Sequence, residues 1–424
     1  MTTPGAQALP PRSRLAIVAE RIFDARAGAW ADGQVVLVDG PVIKGVSSTP
    51  PDGWPVLELP GAYLVPGFVD AHTHVLLRDT LDQLDLARQM VEVNPAHRVA
   101  GGVQAMKIAL QHGFTTIRDL GTEGAGYFDV GLRDAVRDGI VPGPRMLVAG
   151  PAIRSRGRYP LPGLPHSIYY PVGVDSCTGV DACREVVRTQ IAYGIDCLKV
   201  YTSGRIVSPA TDQDYPDGPL VWTEAEVRAM VDEAHRQGIP VAAHAQTLSG
   251  TELAVRAGVD SIEHGYAISP ALAAEMAARG TALAPTLLVS RESAQRGWYV
   301  DKAVEAAHYR SFVNCLEAGV RLVLGTDVGG FEWTRVNQAQ EFSLMVQLGM
   351  SPAQALQAGT IVAGELLGLG GQVGVIEPGA AADLVAVPGN PLEDIDRLSQ
   401  VQLVVQGGRI AFDGQSLVPD GLFA

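Results

Sequence analysis

The chain has 424 residues, more than one small hydrophobic core usually contains, so we expect a large domain with an accessory one. Hydrophobic residues make up 47% of it and charged residues 18%, which is typical of a folded globular protein rather than a disordered chain. The formal net charge is −14, from 32 basic and 46 acidic residues, without a basic cluster. Nucleic acids and anionic membrane surfaces are therefore not expected as partners.

The cysteines and the N-terminal residues are informative about the cellular compartment. No Cys-x-x-Cys spacing is present, so we predict reduced core thiols instead of a zinc knuckle or a disulfide framework. These thiols are Cys177, Cys183, Cys197 and Cys315. No apolar run reaches membrane-spanning length. The first eleven residues lack the apolar segment of a signal peptide, which predicts a cytoplasmic location.

Both ends of the chain have a β pattern. Near the N-terminus, Asp39-Gly40 between two apolar runs predicts a hairpin. Near the C-terminus, apolar runs at residues 383–387 and 401–405 predict strands, with Gly407-Gly408 as a turn. We therefore predict one small composite domain, a β-sandwich, formed by residues 1–65 and 372–424.

Residues 66–371 alternate apolar runs with helical stretches. We predict helices at residues 223–237 and from Ser351-Pro352 to Leu367. The eight apolar runs are residues 68–72, 114–119, 145–149, 196–201, 240–244, 260–264, 282–287 and 321–326. Eight β–α repeats predict an α/β fold, a (β/α)8 TIM barrel, with a doubly wound open sheet as the alternative.

Candidate metal ligands end these runs. His72 and His74 are two residues apart on a strand, so both imidazoles point to the same side. Imidazole is a preferred ligand of zinc and related metals. Further candidates at the C-terminal ends of predicted strands, where barrel enzymes carry their chemistry, are Lys199, His244, His264 and Asp327. Each has an ordinary structural alternative, such as a hydrogen-bonded core histidine or an aspartate that caps a helix. Together the six residues predict a two-metal site.

Five motifs in the same chain match a known pattern. They are PGFVDAHTH at residues 66–74, TTIRD at 115–119, VDSIEHG at 259–265, GTD at 325–327 and GVIEPGAAADLV at 374–385. In combination they resemble the amidohydrolase superfamily. The nearest branch comprises metal-dependent Xaa-Pro dipeptidases, Xaa-Arg/Lys carboxypeptidases and ochratoxinases, which are related to imidazolonepropionase.

This resemblance implies a role for each ligand. His72 and His74 would bind one metal with Asp327, and His244 and His264 would bind the second. Lys199 would be carboxylated by CO2 and would bridge two divalent ions, for which zinc is the expected metal. Two such ions make hydroxide available near pH 7 to attack an amide carbonyl. Asp327 would accept the proton and pass it to the leaving amine.

The substrate is expected to be a small molecule or dipeptide with a free carboxylate. Guanidinium groups bind carboxylates with two parallel hydrogen bonds. The candidates for this contact are Arg158, Arg205, His166 and Tyr201, with Arg154 and Arg156 as further possibilities. The alternative, which is equally consistent with the sequence, is that these arginines are solvated loop charges. Relatives commonly carry Gly-Gly-His-Gly near the loop that here reads Arg156-Gly157-Arg158-Tyr159.

The sequence therefore predicts a binuclear metal-dependent hydrolase of amide bonds to a C-terminal amino acid, in dipeptides, N-acyl amino acids or ochratoxin-like amides. One alternative is a cyclic-amide hydrolase resembling imidazolonepropionase. The other is a non-catalytic barrel that has lost its metals and serves as a scaffold. Related enzymes often assemble, so we expect a homo-oligomer.

Overall fold

The structure, a computed structural model, describes residues 14–31, 34–80, 83–155, 174–204, 206, 214–297 and 300–417. Strands in these ranges are β1 Arg14–Asp24, β2 Ala29–Trp30, β3 Val35–Asp39, β4 Val42–Ser47, β5 Val56–Pro66, β6 Phe68–Thr73, β7 Phe114–Asp119, β8 Arg145–Val148, β9 Ile153–Ser155, β10 Asp175–Cys177, β11 Leu198–Tyr201, β12 Val241–Ala245, β13 Ser261–His264, β14 Ala282–Ala284, β15 Leu384–Pro388, β16 Leu403–Gln406 and β17 Arg409–Phe412.

Helices in the same ranges are α1 Gln83–Val91, α2 Pro95–Gln111, α3 Phe128–Arg137, α4 Val180–Ala192, α5 Glu224–His235, α6 Leu248–Ala257, α7 Pro270–Arg279, α8 Leu287–Gln295, α9 Lys302–Glu317, α10 Gln340–Gln347, α11 Pro352–Ala358 and α12 Ile361–Leu366, with a 3₁₀ helix at Ile395–Ser399. Among the described helices, none combines the length and the apolar character needed to cross a bilayer.

Strands from both ends of the chain share one sheet, in the order β17-β16-β15-β5-β1-β3-β4, with β2 paired to β1. The ends meet where β15 pairs antiparallel with β5, which puts Leu384 opposite Pro66. Two predicted hairpins are confirmed, and their turns contain Gly40 and Gly407 in the left-handed region, at φ 58° and 54°. The sandwich and the domain boundaries stay predictions.

The middle of the chain contains two parallel sheets, β6-β7-β8 and β10-β9-β11-β12-β13-β14. Seven of the eight predicted runs correspond to strands of these sheets. The alternation of such strands with helices confirms a mixed α/β fold with parallel sheets.

The eighth predicted run, residues 321–326, forms no continuous strand, but it bonds to a strand on each side. The Val323 amide donates to the Leu283 carbonyl, and the Leu324 carbonyl accepts from the Ala71 amide, each at 2.9 Å. The ladder is interrupted at Thr326, because its amide donates instead to the Asp70 carboxylate at 3.0 Å, and it resumes where the Asp327 amide donates to the His72 carbonyl at 2.8 Å. The run therefore links β14 to β6 through main-chain bonds.

The predicted helix at residues 223–237 is confirmed as α5. Thr223 and Glu226 form a capping box at its N-terminus.

The prediction of one continuous helix from Ser351 to Leu367 was wrong. Helix α11 ends at Ala358 and α12 begins at Ile361, because Thr360 has non-helical angles of φ −135° and ψ −100°. The break leaves two carbonyls free for the sheet. Ala358 accepts from the Leu324 amide at 3.0 Å, and Gly359 accepts from the Val69 amide at 2.8 Å. The break therefore anchors the base of β6.

The four cysteines are buried free thiols, as predicted.

Replacement of Gly359 by alanine tests the importance of this break. An added Cβ would lie 2.4 Å from Phe342 Cε1, so we expect Gly359→Ala to lower the free energy of unfolding by about 1–3 kcal/mol. The control is Gly101→Ala in α2, where the added Cβ meets nothing within 4 Å and should stabilise the helix by up to about 1 kcal/mol. Denaturant unfolding of both variants gives the measurement. Equal stability of Gly359→Ala and wild type would contradict this account.

Candidate active site

The six predicted ligands lie together at the C-terminal ends of the parallel strands. Lys199 Nζ is 3.3 Å from His72 Nε2. Asp327 Oδ1 lies 3.2 Å from His74 Nε2 and 3.6 Å from His72 Nε2. The rings of His244 and His264 have centroids 4.5 Å apart, and His264 Nδ1 is 3.9 Å from Asp327 Oδ2. Donor atoms of His72, His264 and Asp327 all lie within 4.8 Å of one another, a spacing that can hold a metal ion.

Positive φ angles turn two of these ligands into the site. His264 has φ 70° and Asp327 has φ 58°, in the left-handed region that non-glycine residues seldom adopt. Thr286, whose hydroxyl is 2.8 Å from His264 Nδ1, also has a positive φ, 52°. Such conformations cost about 1–3 kcal/mol each and cluster at functional sites.

Hydrogen bonds orient the rings of His72 and His74. His72 Nδ1 donates to Glu263 Oε2 and His74 Nδ1 donates to the Gly121 carbonyl, each at 2.8 Å. Both acceptors are oxygens without a hydrogen, so the Nδ1 atoms carry the protons and the Nε2 lone pairs are available to a metal.

A buried ion pair stands behind His72. Arg118 donates to Glu263 Oε1 at 2.8 Å, and Ser261 Oγ donates to the same oxygen at 2.5 Å. Burial acts to raise the pKa of Glu263, but Arg118 and His72 outweigh it, and the pKa lies well below its usual range. Glu263 is therefore a fixed anion that holds His72. Neither Arg118 nor Glu263 was assigned a role from the sequence.

Asp70 connects β6 to the segment that carries Asp327. Its carboxylate accepts from Thr326 Oγ1 at 2.6 Å and from Gln338 Nε2 at 2.8 Å, besides the amides of Thr326 and His72. Burial raises the pKa of Asp70 to about 6. These bonds fix the Asp327 backbone next to the two histidines of β6.

The charge states of the cluster suit a cation. Burial, assisted by the charge of Lys199, lowers the pKa of His72 to about 4 and that of His244 to about 3. Both imidazoles are then neutral at pH 7 and their lone pairs are free. Burial likewise lowers the pKa of Lys199 to about 8, which makes the neutral amine accessible. At His74 burial is outweighed by the hydrogen bond and charge of Asp327, and the pKa is raised. The neutral imidazoles and the Asp327 carboxylate fit zinc or a related divalent ion.

Among the predicted substrate contacts, the structure describes Arg154, which is buried in β9, and Tyr201. Its ring packs against His244 at 4.5 Å between centroids, and its hydroxyl donates to Glu123 Oε1 at 2.7 Å. Arg158, Arg205 and His166 lie outside the described residues, as does Arg156. Glu123 was missed because it belongs to an irregular segment after β7, without a spacing pattern.

Removal of the Glu263 charge tests the orientation of His72. Glu263→Gln leaves Arg118 without its anionic partner, so we expect a loss of about 3 kcal/mol or more in unfolding free energy. Zinc affinity should fall by about 10- to 100-fold, because the ligand ring loses its fixed acceptor. Competition with a zinc-binding dye measures this. Glu233→Gln is the control, since Glu233 pairs with Arg184 and Arg188 on α4. Unchanged zinc affinity in Glu263→Gln would refute the orienting role.

The sequence and the fold have counterparts in known proteins. Ochratoxinase of Aspergillus niger is 28% identical over 393 residues, which cover 84% of this chain and 77% of that protein. Imidazolonepropionase of Chloroflexus aggregans is 28% identical over 165 residues, 38% of this chain and 36% of that protein. The crystal structure of a Xaa-Pro dipeptidase with bound methionine in the active site has a TM-score of 0.81 and 28% identity, and the match covers 94% of this chain and 99% of that one. Residues 63–411 match the amidohydrolase family, and the chain belongs to this family.

Proposed function

We propose that this protein is a binuclear metal-dependent hydrolase of amide bonds to a C-terminal amino acid. The observation that carries the proposal is the meeting of six side chains, four of them imidazoles, at the ends of the parallel strands. Similarity to ochratoxinase and to a Xaa-Pro dipeptidase supports the substrate class, which comprises dipeptides, N-acyl amino acids and ochratoxin-like amides.

In this proposal, His72, His74 and Asp327 would hold one divalent ion and His244 and His264 would hold the other, with zinc as the expected metal. Lys199, as a carbamate, would serve both positions, since an ammonium cannot bind a cation but a carbamate offers two oxygens. When bound, such ions polarise a carbonyl and lower the pKa of water.

Asp327 is the proposed general base and acid. Burial acts to raise its pKa, but the neighbouring His72 and His74 outweigh this, so its pKa lies below the ordinary range. The carboxylate is thus ionised at neutral pH and can accept the proton of the attacking water. It then delivers this proton to the departing nitrogen.

The architecture that we propose is a closed (β/α)8 barrel over residues 66–371 with a β-sandwich from residues 1–65 and 372–424. The bonds of residues 321–326 to both β14 and β6 support closure. So does the bond from the Asp196 amide to the Val148 carbonyl at 2.8 Å, which connects β8 to the start of β11. A cytoplasmic homo-oligomer remains part of the proposal on sequence grounds.

A cyclic-amide hydrolase is the second candidate, supported by the partial match to imidazolonepropionase. A metal-free scaffold is the third, and metal analysis of the purified protein would distinguish it.

A screen of dipeptides and N-acyl amino acids tests the main proposal. With zinc and bicarbonate supplied, we expect cleavage of compounds with a free carboxylate and little cleavage of their carboxyl amides, because the amide cannot form the charged contact. The measurement is kcat/KM for each matched pair. Equal values would remove the carboxylate requirement, and chelator-resistant activity would refute the metal mechanism.

Replacement of Lys199 tests the carbamate. Lys199→Ala should lose activity, since the bridging oxygens are gone, and short carboxylic acids should partly restore it by occupying the vacated space. Activity is assayed across a range of acetate and propionate concentrations. The same acids added to wild type serve as the control. Full activity of Lys199→Ala without added acid would rule out this role.

A further inference from the structure

Glu123 is a buried carboxylate in the candidate site that the mechanism above leaves unused. Its exposed fraction is 3%, and its Oε1 accepts the Tyr201 hydroxyl. Its second oxygen, Oε2, has no hydrogen-bond partner within the described part of the chain. A buried polar oxygen without a partner costs free energy and requires an explanation. A group supplied by a ligand would satisfy it.

The Glu123 carboxylate lies near proposed metal ligands. A Cβ built on Gly121 would lie 3.5 Å from His74 Cε1 and 3.8 Å from Glu123 Oε1, so the carboxylate and the His74 ring border the same small space. Tyr201, which holds Oε1, packs on His244. The Glu123 carboxylate therefore lies close to His74 and, through Tyr201, is connected to His244.

The backbone around Glu123 is held in an unusual conformation. Its φ of 42° is positive, and the other described non-glycine residues with positive φ are His264, Thr286 and Asp327, all in the site. Arg98 fixes the segment by donating to the carbonyls of Leu76, Thr122 and Glu123. All these bonds end on main-chain oxygens, so none of them satisfies Glu123 Oε2.

We propose that Glu123 binds a protonated amine of the substrate through Oε2 while Tyr201 holds Oε1. A carboxylate accepts hydrogen bonds, and its strongest complement is a charged N–H group. Burial raises the pKa of Glu123, and a bound cation keeps the carboxylate ionised. The inference rests on the proposed function and narrows its substrates to those with a cationic nitrogen near the scissile amide, such as dipeptides with a free α-ammonium group.

Matched substrates provide the test. A glycyl amino acid and the N-acetyl derivative of the same amino acid differ by an ammonium group in place of a hydrogen. We expect the wild-type enzyme to prefer the glycyl compound in kcat/KM by about 10-fold or more, the size of one charged hydrogen bond. Glu123→Gln keeps the acceptor for Tyr201 but replaces Oε2 by an amide nitrogen, so the preference should fall by a similar factor.

Controls separate recognition from folding. Glu233→Gln, in the α4–α5 ion pairs, should keep the wild-type preference. If Glu123→Gln proves unfolded, Tyr201→Phe takes its place in the test. This variant keeps the ring against His244 but removes the hydrogen bond that holds Glu123 Oε1, so the preference should weaken. Wild-type enzyme that cleaves the acetyl compound equally well, or an unchanged ratio in folded Glu123→Gln, overturns the inference and leaves the amide hydrolase standing. If metal-loaded enzyme cleaves neither compound and nothing in the wider screen, the inference and the proposed function are both overturned.

Discussion

The buried contact between Arg118 and Glu263 is the interaction on which the site most depends. It joins β7 to β13, and the other carboxylate oxygen, Glu263 Oε2, accepts from His72 Nδ1 and so fixes the His72 ring. Both side chains are at most 2% exposed, so each charge is tolerated inside the protein only because the other is present. One ion pair therefore maintains strand packing and ligand orientation together.

Further contacts position Asp327, His74 and His264 among the other candidate ligands. The Asp70 carboxylate ties β6 to the turn at Asp327. The Gly121 carbonyl orients His74, and Thr286 contacts His264. Positive φ angles at His264 and Asp327 direct these side chains inward. These strained backbone angles lie where the surrounding strands hold the chain in place, as expected when a fold keeps a set of side chains rigid.

Much of this arrangement was readable from the sequence because it follows strand periodicity. His72 and His74 share a strand face, Lys199 lies near the end of an apolar run, and His244 and His264 each end one, so a parallel sheet brings them together. Arg118 and Glu263 gave a weaker signal, as charged residues inside apolar runs that must pair when buried. Glu123 and the helix break at Thr360 were not predictable, because both depend on contacts with segments distant in sequence. The carboxylate-binding arginines stay predictions.

The central claim is that these six side chains enclose two divalent ions. Its most direct test is an anomalous difference map from crystals of the zinc-supplied protein, collected on both sides of the zinc absorption edge. The account predicts two peaks about 3.5–4 Å apart, one near His72 and His74 and one near His244 and His264, with density for a carboxylated Lys199 between them. A map without peaks among these residues would contradict it.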